Sequence, residues 1–197
     1  TPSREQFESW RKQLYVFCRW AITDTLQNKC DYVHVMADAT TKGKSVKSRK
    51  TQIHLTGAIG VLKEEHGGGT FPCQLGFDII PDGKSETEGN SSLEMLNFDA
   101  GPNSNLSRSV STKKMISNTT DSAPTAIAGS EIILKRKRDD VAAMTAEDLA
   151  AMTPQEKEIT QRPCKKRRCQ NHVFSFLCQH FVGQRATKKK KAGINPD

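Results

Sequence analysis

At 197 residues the chain has room for one ordinary domain with tails or for two small domains, and two large cores are excluded because domains cluster near about 100–150 residues. Only 35% of the residues are hydrophobic and 6% aromatic, so a good part of the chain is not expected to pack. Of the net charge of +8, +7 falls within residues 131–197, which favours acidic partners, and no apolar run reaches the roughly 18–20 residues of a membrane span, so no membrane partner is expected.

The opening Thr1-Pro2-Ser3-Arg4 carries no secretory-signal pattern, although no initiator Met precedes it. The first element expected is an amphipathic helix. Phe7, Trp10, Leu14, Phe17 and Ala21 recur at i, i+3, i+7, i+10 and i+14, with Arg11, Lys12 and Arg19 off that stripe and Ser3 as N-cap. Three short runs rich in β-branched or aromatic residues then read as strands against which the stripe would pack: Tyr32 to Ala37, Ile53 to Leu62, and Leu75 to Ile80. Residues 1–82 are therefore expected to form a small α+β module.

Residues 83–130 are dominated by Ser, Thr, Asn, Gly and Pro and read as a flexible, disordered linker, too poor in apolar surface to offset its ordering entropy. The N-x-S/T matches at Asn90 and Asn118 fall in this stretch, where chance matches are expected. Two short helices are expected between Val141 and Gln161, starting at Thr145-Ala146-Glu147-Asp148 and at Thr153-Pro154-Gln155-Glu156. They belong to a basic helical and Cys/His segment, 131–185, followed by a basic tail, 186–197.

The sharpest chemical feature is C-x4-C-x2-H-x5-C-x-H over Cys164, Cys169, His172, Cys178 and His180. Thiolate and imidazole are the ligands tetrahedral zinc prefers, and a short charged segment gains most from a metal. Zinc on Cys164, Cys169, His172 and Cys178, with His180 replacing His172 as the alternative, would make this a small zinc-stabilised segment. The competing reading takes Cys178 and Val173 to Leu177 as apolar core. The spacing matches no standard finger.

Three basic runs accompany the cluster. Lys135, Arg136, Lys137 and Arg138 come after the linker and should be accessible to the acidic groove of a nuclear import receptor. Lys165, Lys166, Arg167 and Arg168 stand between two candidate ligands, Cys164 and Cys169, and are the expected phosphate contacts. Lys188 to Lys191 lie near the end of the chain. Phe174, Phe176 and Phe181 could stack on bases, but a short segment needs them as core.

Enzymatic motifs fare worse. Asp38 to Ser45 ends in Gly-Lys-Ser but carries Asp38 where a phosphate-binding loop needs glycine. Cys18, Cys30 and Cys73 cannot be paired with His34, His54 or His66 by spacing, and His66-Gly67-Gly68-Gly69 reads as a turn. With lysine and arginine runs of nuclear type, the cysteines are expected to be reduced. No catalytic residue is assigned. The expectation is a non-enzymatic nuclear regulatory protein binding DNA or RNA through a basic zinc segment. The alternatives are a protein–protein adaptor of the kind many viral regulators are, whose basic runs serve only import, and an enzyme built on the amino-terminal module.

Overall fold

The structure, a computed structural model, describes residues 3–41, 52–80, 84–99, 107–121 and 123–169. Helix α1 (Arg4–Asp24) starts at Ser3, whose hydroxyl accepts from the Gln6 amide while the Gln6 side chain accepts from the Ser3 amide. This reciprocal cap satisfies two otherwise orphaned donors. A wide π-helical turn (Thr25–Lys29) then leads into strand β1 (Cys30–Thr41). Strands β2 (Gln52–Leu62) and β3 (Thr70–Ile80) come next as antiparallel neighbours, and the three apolar runs expected to be strands lie one each within β1, β2 and β3. Gly67, Gly68 and Gly69 have φ of 92°, 63° and 84° between β2 and β3, a left-handed run that side chains resist, so this triplet serves the turn.

Residues 83–130, expected to be a disordered linker, are instead largely built into the fold. They contain helix α2 (Ser85–Leu96), a ribbon of β4 (Asn97–Phe98) and β5 (Arg108–Ser109), strand β6 (Met115–Thr120), and the start of helix α3 (Pro124–Ala142). Helices α4 (Ala146–Ala151) and α5 (Pro154–Gln161) begin where expected, each with a capping box, at Thr145 and Thr153. Strand β7 (Lys165–Arg168) completes a mixed five-stranded sheet of order β3-β2-β1-β6-β7, in which β6 is parallel to β1 and β7 parallel to β6. The amino-terminal strands, the supposed linker and the basic segment thus share one sheet in an α+β fold.

Composition misleads here because the core is partly built from small polar residues. Ser91, Ser92, Ser117, Asn118, Thr120 and Ser130 are buried. Asn118 Nδ2 donates to Ser130 Oγ (2.9 Å), and His54 Nε2 shares a 2.7 Å hydrogen bond with Ser92 Oγ. Such pairs let polar groups enter a core at little cost, because burial is expensive only without a partner. The apolar centre comprises Leu26, Val33, Val35, Leu75, Leu96, Met115 and Ile133, among others. Buried Asn118 is also no accessible glycosylation acceptor.

A second correction concerns α1. Its apolar stripe does not pack on the strands: Phe7, Trp10, Leu14 and Phe17 are 56–62% exposed. The helix is instead attached near its end, where Arg19 and Thr23 are buried and Ile22 packs against the core. Arg19 Nη2 donates to the Met95 carbonyl (2.9 Å), and its guanidinium lies 5.8 Å from the Phe98 ring centroid.

Candidate nucleic-acid interface

Successive residues of a strand point to opposite faces. In β1, Val33, Val35 and Ala37 are buried on one face, whereas Tyr32, His34 and Met36 on the other are half-buried or exposed. In β2, His54, Thr56 and Ala58 are buried while Ile53, Leu55 and Ile59 stay half-buried. Phe77 and Ile79 of β3 are 68% and 59% exposed. Part of this open face forms a groove of about 540 Å³ lined by Met36, Leu55, Pro72 and Cys73, with Asp38 and Asp121 also contributing.

Strand β7 sets cations along one edge. Its register pairs Lys165 with Ser117, Lys166 with Asn118, Arg167 with Thr119 and Arg168 with Thr120, and all four cations are exposed. Because Ser117 and Thr119 pair across β1 with His34 and Met36, alternation carries Lys165 and Arg167 to the open face. Lys166 and Arg168 go to the helical side, where Lys166 Nζ pairs with Glu131 Oε1 of α3 at 2.7 Å. The four expected phosphate contacts are therefore split between the two faces.

His34 sits between this edge and the apolar surface. Its Nδ1 lies 2.6 Å from Ser117 Oγ and its ring meets Tyr32 edge-on at 5.8 Å. Burial, reinforced by the Arg167 charge, lowers its pKa and favours the neutral imidazole, which can accept as well as donate a hydrogen bond.

The same strand bears on the zinc expectation. Cys164 packs against the core, and burial pushes its thiol up to about 11. Cys169 lies just beyond β7, its amide donating to the Thr120 carbonyl at 2.8 Å. Five steps of extended chain hold the two Cα atoms roughly 16 Å apart, too far for one ion with Zn–S bonds of about 2.3 Å. His172, Cys178 and His180 lie outside the described residues, as do Phe174, Phe176 and Phe181. Among the described residues, no group of three or more His, Cys, Asp or Glu is arranged to hold a metal.

The run expected to be accessible for import is helical, lying in α3, and Lys137 within it is buried. Lys137 Nζ donates to the carbonyls of Met115 (2.5 Å), Arg162 (2.9 Å) and Ile159 (3.3 Å), while Lys135, Arg136 and Arg138 are exposed. The Lys188 to Lys191 run lies outside the described residues. So do residues 42–45 of the Gly-Lys-Ser motif; before them, β1 runs as a strand through Thr41.

The His54–Ser92 pair has the spacing of a base and a nucleophile, but Ser92 is 1% exposed and His54 3%, so a substrate cannot reach the hydroxyl. Burial also holds Cys73 as a thiol, pushed up to about 11, and raises Cys30. Both act as packing groups.

Sequence reasoning singled out the β7 cations but missed Tyr32, His34 and Phe77 as residues of the same face. The two-residue alternation of β1 and β3 separates the faces, yet which strand lies near β7 depends on β6 entering between β1 and β7. Among the described residues, no helix is long and apolar enough to cross a membrane. Compared with known proteins, the chain matches no family model, no curated protein and no solved structure.

Proposed function

We propose that this chain is a non-catalytic nuclear regulatory protein that binds single-stranded nucleic acid across the open face of its sheet. The observation that carries the reading is the edge strand β7, which sets Lys165 and Arg167 on the same side as an apolar face offering Tyr32 and Phe77. Phosphates are held by cations, and bases, each with a π-face, stack on rings; the combination suits a single strand better than a duplex, whose bases are already stacked. The cations of the helical side contribute less, since Lys166 is engaged by Glu131.

Zinc belongs to the same proposal on the ground of spacing alone. Because β7 separates Cys164 from Cys169, an ion would be held by Cys169 with His172, Cys178 and His180, leaving Cys164 in the core. For nuclear entry, the Lys135 to Arg138 run could meet a receptor as an extended peptide only after α3 unwinds. The Lys188 to Lys191 run is the other candidate. The adaptor reading draws on the exposed stripe of α1, which a regulatory protein could cover.

The test is fluorescence anisotropy with labelled single-stranded DNA and RNA over a salt series. Replacing both Lys165 and Arg167 with Ala should weaken binding and reduce the log–log salt slope by about 1.4, the value for two phosphate contacts on a single strand. The Lys166→Ala, Arg168→Ala pair should change the slope by less. Equal losses from the two pairs would sink the face assignment, and salt-insensitive binding by the parent protein would sink the function.

A further inference from the structure

We propose that α1 pairs with the α1 helix of a second copy of this chain, making the protein a weak homodimer. Phe7, Trp10, Leu14, Phe17 and Ala21 alternate at three and four residues, the spacing of a seam that two helices bury by winding around each other. At about 100° per residue these positions lie about 140–180° from the line midway between Arg19 and Thr23, the two buried residues of α1. The seam therefore faces away from its own core, which explains its exposure. The helix is already formed and capped, so pairing does not have to supply the cost of ordering it.

A second copy suits this seam better than an acidic or basic partner helix or a lipid surface. Beside the seam stand Gln6, Arg11, Gln13, Cys18 and Trp20, so two copies meet no ladder of like charges, and little there would select an oppositely charged helix. Outside buried Arg19, the cations Arg4, Arg11 and Lys12 are matched by Glu5, Glu8 and Asp24, and Arg11 is paired with Glu8 at 2.7 Å. That leaves no cationic flank for anionic lipid. From the 56–62% exposure of the four large side chains, two copies would bury roughly 900 Å² of seam, in the range of transient interfaces.

Sedimentation equilibrium of the full chain between about 5 and about 500 µM should show the mass rising from one chain toward two as concentration increases. Leu14→Glu should remain a single chain throughout, because it places charge in the centre of the seam at an exposed site where the fold does not need leucine. Tyr15→Glu, equally exposed but off the seam, should still dimerise. A parent protein that stays a single chain at the highest concentration, or a dimer that Leu14→Glu leaves intact, would overturn the proposal. So would a single-chain parent that floats with phosphatidylcholine or phosphatidylserine vesicles and loses them on Leu14→Glu, since a membrane would then be what covers the stripe.

Discussion

His54 illustrates how one buried side chain ties stability to pH. Its Nε2 shares a hydrogen bond with Ser92 Oγ, and burial lowers its pKa despite the opposing charges of Asp78, Asp38 and Asp121. The unfolded chain consequently takes up the proton first as pH falls. The stability that depends on neutral His54 is present above the ordinary histidine value of about 6.5 and is lost below it, at no more than about 1.4 kcal/mol per pH unit. Urea unfolding at pH 7 and pH 5 should show a smaller loss for His54→Gln than for the parent protein; equal losses would mean that His54 titrates normally. Lys137 is the complementary case. Its ammonium is buried because three carbonyls surround it, and although burial lowers its pKa, a residue that charge patterning assigns to an exposed run links α3, β6 and the end of α5.

Between elements, α2 and α3 approach closely where Gly89 faces Gly129. A Cβ at Gly89 would stand 2.7 Å from the Gly129 carbonyl oxygen and 2.9 Å from Ile132 Cβ, and backbone cannot swing aside as a flexible side chain can. Helix propensity alone makes Gly→Ala stabilising by about 1 kcal/mol, whereas overpacking costs about 1–3 kcal/mol. Gly89→Ala is therefore expected to destabilise by about 2 kcal/mol in chemical denaturation, the upper part of that overpacking range prevailing because backbone is what it meets. A gain in stability would show that the two helices are not in contact there. The stretch containing Gly89 reads as a linker for the same reason that it packs closely: small residues bury little apolar area but let helices approach. Strand β7 also acts as an element, dividing its cations by alternation and separating Cys164 from Cys169. Zinc analysis of protein purified without chelator should accordingly find metal retained in Cys164→Ser and lost in Cys169→Ser. Loss in both would show that the chain around β7 rearranges to bring the two thiols together.

Over the described part of the molecule, the basic residues between 131 and 169 are built into the fold rather than set apart from it. Some return to the sheet as β7, some form a helical surface on α3, and one lysine is interior. The proposed nucleic-acid face and the proposed dimer seam are also separate in origin: the first is assembled from strands distant in sequence, the second from α1 alone. A dimer would therefore double the number of binding faces without using either, and two linked faces bind a long strand more tightly than one through effective concentration.

Local features were legible in the sequence because their causes are local. The Ser3 cap, the starts of α4 and α5, the first three strands and the heptad spacing of α1 depend on residues within a turn or two, and hydrophobic periodicity reports them directly. What tertiary structure alone decided was partnership. That Ser and Asn residues of the supposed linker would be buried, that α1 would turn its apolar stripe away from the strands, that Lys137 would find three carbonyls, and that β6 would enter between β1 and β7 all depend on contacts between residues far apart in the chain. Composition measures how much apolar surface a segment carries, but whether a polar side chain can be buried is settled by the hydrogen-bond partner that the rest of the fold brings to it.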